Sequence, residues 1–312
     1  MTRAAVGAGG RAAAVALPAG WLVRRRRPEL SAYVFVLPAV LGVLVFGIAP
    51  ILYAFVVSLH NYDLVNPHPP FVGMRNYAAL AADPIFWTAL RNTTAYALML
   101  VPLQTAAGLG LALIVQPSAR WIAVLRTAYF MPVVVSYVVA AGLWEILFAT
   151  PNGPVNSLVA LGHLPPQLFF QDPRQALPLI AVMSTWKWSG ITMLIYLSGL
   201  HEIPLELYEA AEMDGARGAR RFWSITWPLL QRITLFVVVV NTIEAFKIFT
   251  PVYVITSGGP MNSTTVLVFH LFREAFRYVH LGYASALSFA LLFLILGLAA
   301  IQFWLLREDR SE

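Results

Sequence analysis

Six apolar stretches, each about as long as a bilayer is thick, limit what this chain can become. A helix needs about 20 mostly apolar residues to cross the hydrocarbon core. The stretches from Tyr33 to Leu59, Thr93 to Val115, Ala128 to Phe148, Leu177 to Leu200, Leu229 to Ile255 and Tyr283 to Leu306 all qualify. Inside lipid every backbone polar group must be satisfied within the segment, so such stretches fold as helices. The expected class is all-α: a polytopic membrane protein with six transmembrane helices spread over residues 31–307. With 59% hydrophobic and 12% charged residues and a mean hydropathy of +0.71, the chain is too apolar for a water-soluble domain.

The charges give the expected orientation. Nineteen basic residues are arginines in the loops and tails. With the N-terminus inside, the segments 1–32, 116–126, 201–232 and 307–312 hold fourteen of them, against five in 60–91, 149–176 and 256–280. Both termini are therefore expected in the cytoplasm, with the protein multi-pass in the plasma (inner) membrane. The short apolar run from Ala12 to Leu22 resembles the start of a signal peptide, but Arg24, Arg25, Arg26 and Arg27 resist translocation. Residues 1–30 read as a disordered basic cytoplasmic tail and 308–312 as a second tail. The net charge of +6 belongs to this pattern, so the lipid bilayer is an expected partner and nucleic acid is not.

The only two lysines, Lys187 and Lys247, fall within predicted spans. A charge there costs about 2.5 to 3.5 kcal/mol on insertion scales unless it faces a bundle interior or a polar cavity. Lys187 lies between Trp186 and Trp188. Lys247 follows Glu244 by three residues, and Asn241 precedes Glu244 by three, a spacing that predicts one polar helix face. One reading is glue, with Glu244 and Lys247 neutralising each other and Lys187 snorkelling. The other is a polar, aromatic-edged pathway for a hydroxyl-rich solute, with Trp186, Lys187, Trp188, Asn241, Glu244 and Lys247 as its candidates.

Asn66-Pro67-His68-Pro69-Pro70 and Pro151-Asn152-Gly153-Pro154 read as fixed external turns. Gly258, Gly259 and Pro260 break the chain after span five, where they suit a tight re-entry or contact with an external partner. No phosphate-binding loop, paired metal-binding histidines or nucleophile with its base occurs, so no catalysis and no bound metal or cofactor is expected of this chain. The lack of cysteine removes thiolate chemistry.

The segment 201–228 carries more charge than a linker needs. Pro204 suits the first turn of a helix through Leu205 to about Asp214, with Glu206, Glu209 and Glu212 as an acidic stripe and Gly215 able to end it in the left-handed conformation. A second short helix with Arg217, Arg220, Arg221, Phe222, Trp223, Ile225 and Trp227 is expected before Pro228. Such a hairpin can simply lie on the membrane surface.

The order of residues says more. Glu209-Ala210-Ala211, three residues, Gly215, nine residues, Ile225, one residue, Trp227 and Pro228 resembles the coupling-loop signature of ATP-binding-cassette (ABC) importer permeases, with Trp227 in place of the usual Leu. Phe71 to Tyr77, Asn92-Thr93, Trp144, Gly153, Asn156, and Tyr253, Thr256 with Gly258-Gly259-Pro260 resemble the sugar-importing, maltose-type branch. The resemblance implies the type I ABC importer permease fold and ATP-driven import of a sugar or related solute. It implies as partners a second permease of the same type, two ATP-binding cytoplasmic subunits that carry ATP and Mg, and an extracytoplasmic solute-binding protein. It also implies that Glu206, Glu209, Ala210, Ala211, Glu212, Asp214 and Gly215 contact the ATPase. An ion-coupled secondary transporter using the intramembrane Glu and Lys residues is the alternative, although such folds usually contain internal repeats, which are not visible here.

Overall fold

The computed structural model describes residues 30–63, 68–117 and 120–305. The expected tails, Leu30 excepted, and the Asn66-Pro67 part of the first turn lie outside the described residues. Within them the regular structure is helical, and the β structure is an isolated antiparallel bridge between His60 and Phe71.

Two units divide the chain, Met1–Leu52 and Tyr53–Glu312. The first is helical where described, through Leu30–Gly42, a wider-turned stretch at Val43–Ile48 and the start of Ala49–Ser58. Its apolar side chains are exposed, Phe35 by 86% and Phe46 by 84%, as a lipid-facing helix requires. The run Phe35–Ser58 is long and apolar enough to cross a membrane.

In the second unit Pro84–Val115, Ala219–Phe246 and Leu281–Trp304 pass the same test. The helix Ala176–His201 is equally long but less apolar, because it is the centre of the unit and faces protein instead of lipid. It packs against Pro84–Val115, Arg120–Val134 and Trp227–Phe246, and it buries Ser184, Thr185, Lys187, Ser189 and Thr192. Small residues allow the close approach, as in membrane bundles generally. A Cβ on Gly190 would stand 2.7 Å from the Tyr129 carbonyl oxygen, and one on Gly108 would overlap the Thr192 side chain.

Four expectations about the helices are corrected. The third stretch is two helices, Arg120–Val134 and Tyr137–Leu147, bent by 97°. Pro132 removes a ladder donor just before the bend, and Ser136 is extended at φ −54°, ψ 139°. The fifth helix ends at Phe246 instead of Ile255, with Lys247 at φ −93°, ψ 4°, and helical turns resume only after a break, over 250–256. At its other end this helix reaches back to Ala219, so the expected second short helix of the loop is the first turns of span five. Pro228 stands where the wider-turned stretch Phe222–Thr226 passes into Trp227–Phe246, without ending the helix. The second helix begins at Pro84, before the expected Thr93, because Asp83 caps it by accepting from the Ile85 N–H at 2.7 Å.

Candidate functional site

The 201–228 loop is built around Leu205–Met213. That helix closes by two bonds, Gly215 N–H to the Glu212 carbonyl at 3.0 Å and Ala216 N–H to the Ala211 carbonyl at 2.8 Å. This is the Schellman arrangement, which needs a left-handed residue after the helix, and Gly215 supplies it at φ +76°. The space around Gly215 is open, so conformation and not crowding is what favours glycine there. Ala211 is buried, whereas Glu206, Glu209, Ala210, Glu212 and Asp214 are exposed. Arg217 and Glu212 pair at 3.3 Å, but both are largely in solvent, where such pairs contribute little. Two side-chain contacts tie the helix to span five: the Tyr208 and Thr226 hydroxyls at 3.2 Å and the Arg221 guanidinium over the Tyr208 ring at 5.3 Å. An open cleft of about 820 Å³ lies beside the loop, lined by Glu202, Pro204, Trp227, Leu229 and Arg232.

The expected polar face of span five divides in two. Asn241 is buried and accepts from Gln104 at 2.9 Å, while Gln104 also reaches Thr192 at 3.3 Å and Asn241 donates to Thr105 at 3.4 Å. These contacts join span five to Pro84–Val115 and to the central helix. Glu244 and Lys247 pair with each other at 2.8 Å, more than half exposed, outside that network. Lys187 is elsewhere again, buried, with its ammonium donating to the carbonyls of Pro132, Val133 and Val135 at 2.9, 3.0 and 2.7 Å. Trp186 stands 5.9 Å from Trp144, and Trp188 lies under the Lys187 ammonium at 5.0 Å. The six pathway candidates thus occupy three places.

The Gly258-Gly259-Pro260 segment is a packed loop. Gly258 has φ +84°, and a Cβ there would stand 2.6 Å from a Phe269 ring carbon. Thr264 donates to the Gly259 carbonyl at 2.7 Å and Thr265 to the Gly258 carbonyl at 3.1 Å. Asn92 donates to the carbonyls of Asn262 and Thr265 at 2.8 and 3.0 Å, and Thr93 accepts from the Leu267 N–H at 3.0 Å. Nearby, Asp83 receives the Tyr283 hydroxyl at 2.6 Å and meets His270 at 3.1 Å. Burial alone would raise the Asp83 carboxyl, but the hydrogen bonds from Tyr283 and Ile85, with His270 beside it, hold it below its ordinary range. Burial lowers His270, more than Asp83 and Glu274 raise it.

Over residues 14–308 the chain matches the family described as "Binding-protein-dependent transport system inner membrane component". The chain belongs to this family. Within the family, it is 34% identical over 291 residues to the Lactose transport system permease protein LacF of Rhizobium radiobacter, covering 92% of this chain and 97% of that one. It is also 34% identical over 272 residues to the Trehalose/maltose transport system permease protein MalF of Thermococcus litoralis, covering 86% and 91%. This inner membrane component is therefore an ABC importer permease of the maltose-type branch. Its fold matches a chain from a bacterial ABC transporter involved in the import of the acidic polysaccharide alginate, with a TM-score of 0.80 at 20% identity over 91% of this chain and 97% of the other.

Several residues that organise this permease were not singled out from the sequence. Gln104 and Thr192 complete the buried network around Asn241, and Asp83, His270 and Tyr283 form the knot beside the Gly258 loop. A lone amide within the apolar run of span two was the available signal for Gln104.

Proposed function

We propose that this permease imports a sugar or a related hydroxyl-rich solute, forming half of a translocation pathway whose other half is a second permease of the same type. Two cytoplasmic subunits bind ATP with Mg and hydrolyse it, and an extracytoplasmic binding protein delivers the solute. Both termini and the 201–228 loop lie in the cytoplasm. The observation that carries the reading is the Leu205–Met213 helix, with Glu206 and Glu209 exposed, a Schellman stop at Gly215, and Tyr208 joined to Thr226 and Arg221 of span five. A short, lightly tethered helix with exposed carboxylates and small residues suits insertion into a cleft with basic groups on another protein. ATPase closure against it moves the spans by rigid-body rocking between inward and outward states.

The solute class is supported by the printed names of the relatives, which include lactose and trehalose/maltose systems. Gly258, Gly259 and Pro260 are proposed to face the binding protein. The Asn241 network and the Trp186–Trp188 segment are proposed to border the path. The test is uptake into proteoliposomes that carry the assembled complex. Uptake of a labelled oligosaccharide is expected only with ATP and the ATPase subunits on the loop side and binding protein on the other. Uptake driven by an ion gradient without the ATPase subunits would contradict the proposal and favour a secondary transporter.

A further inference from the structure

We propose that Lys187 is a positioning residue for transport, whose ammonium holds the broken third span in its bent form. The inference rests on the permease reading for its consequence but on geometry for its substance. In an unbroken helix the carbonyls of Pro132, Val133 and Val135 would accept from the N–H groups four residues on, at 136, 137 and 139. In the structure all three point instead at the Lys187 ammonium, at 2.7 to 3.0 Å. The clasp competes with a straight span, in which the same carbonyl oxygens would be turned along the helix toward those N–H groups.

The chemistry explains why a lysine stands there. A helix that stops inside the bundle leaves its last carbonyls without donors and a partial negative charge at that end. A single ammonium offers three donors and the opposite charge. Lys187 is in turn relieved of the cost of an unpaired buried charge, with the Trp188 ring at 5.0 Å and the Tyr137 ring at 5.7 Å adding cation–π attraction. Gly190, three residues on, lets the central helix lie against Tyr129 and Phe130 closely enough for the lysine to reach.

The bend decides where the second arm goes. Tyr137–Leu147 leaves the break with the Tyr137 hydroxyl on Ser184 at 2.8 Å and Trp144 near Trp186, and it packs against Val252–Thr256, the segment that leads into the Gly258 loop. The clasp thus sets the Gly258 loop relative to the central helix. Helix rocking that reaches the loop side of the permease is transmitted to the other side through this arm.

The chain has no cysteine, so a pair of introduced ones can be labelled cleanly. Val124 and Ile146, one on each arm, are 69% and 67% exposed. With spin labels at Val124→Cys and Ile146→Cys in the assembled complex, pulsed dipolar spectroscopy distinguishes the two geometries. The 97° bend gives a backbone separation of about 21 Å and a straight helix about 33 Å, from a rise of about 1.5 Å per residue. The wild-type background should give the short distance. Lys187→Met should shift it toward the long one and lower ATP-driven uptake by roughly tenfold or more, since three buried carbonyls lose their donor. Lys187→Arg, which restores charge and donors, should keep the short distance and recover most of the uptake. A long distance in the wild-type background overturns the clasp, and decides the matter even if the Met variant does not assemble. So does an unchanged short distance in Lys187→Met. A lengthened distance with unchanged uptake overturns the positioning role. None of these outcomes depends on what drives transport, whereas wild-type uptake without ATP would contradict the importer reading and leave the clasp standing.

Discussion

At its first end the central helix is surrounded by amides and hydroxyls that close loops on themselves, and at its last end it runs into a helix whose carboxylates Glu206 and Glu209 have no partner among the described residues. Around the first end, Asn92 holds the carbonyls of Asn262 and Thr265, and Asn156 bonds the backbone of Gln167 in both directions. Each amide replaces a missing backbone partner in an irregular loop, which makes that loop one rigid piece with the helices it joins. Around the last end, the Leu205–Met213 helix closes its C-terminus with backbone bonds, buries Ala211, and among the described residues is joined to span five by Tyr208 on Thr226 and Arg221. The difference fits the proposed mechanism, in which one end keeps its shape as the spans rock and the other is gripped by the ATPase subunits.

The comparison breaks most severely if Gly258 proves replaceable. Gly258→Ala should lower the thermal unfolding midpoint and cost roughly 2 to 4 kcal/mol, because the methyl meets Phe269 and Thr265 in a left-handed backbone. Asn92→Ala should cost about 1 to 3 kcal/mol, the usual range for leaving buried polar groups without partners. A denaturation series in detergent checks both, and losses under about 0.5 kcal/mol would mean that the first end is not the rigid one.

Acidity gives a smaller and graded effect. His270 is held below its ordinary value, so the unfolded chain binds a proton that the folded one resists. Stability should therefore fall as pH drops below the ordinary histidine range of about 6.5. Asp83 shifts down as well, and its stabilising share should persist until the pH falls below the ordinary carboxylate range, near 4. Melting temperatures between pH 8 and pH 5 should decline toward acid, and His270→Gln should flatten that slope. A slope unaffected by the substitution would remove His270 as its source.

The sequence already contained the parts that depend on local pattern. Apolar runs of bilayer length marked the helices, and Pro204 with Gly215 marked the loop helix and its left-handed stop. Hidden were the features that depend on residues brought from far along the chain. Asp83 meets His270 and Tyr283 across separations of 187 and 200 residues, and no pattern within a window can anticipate that. Lys187 was visible as a costly charge, but its use required the break at Val135 and Ser136, which lies inside an apolar run that reads as continuous. Asn241 and Glu244 share a spacing and not an environment, because neighbouring helices bury the first and leave the second exposed.

The central claim, that the lightly tethered end is where ATP hydrolysis meets the spans, is tested most directly at Gly215. Aspartate there strains a left-handed backbone by about 1 kcal/mol, and its Cβ would meet none of the described residues within 4 Å. Solute-stimulated ATP hydrolysis by the assembled Gly215→Asp complex is expected to fall by roughly tenfold or more while its unfolding midpoint stays close to wild type, as an interface residue away from the core should behave. Wild-type ATPase association together with wild-type stimulated hydrolysis would contradict the account.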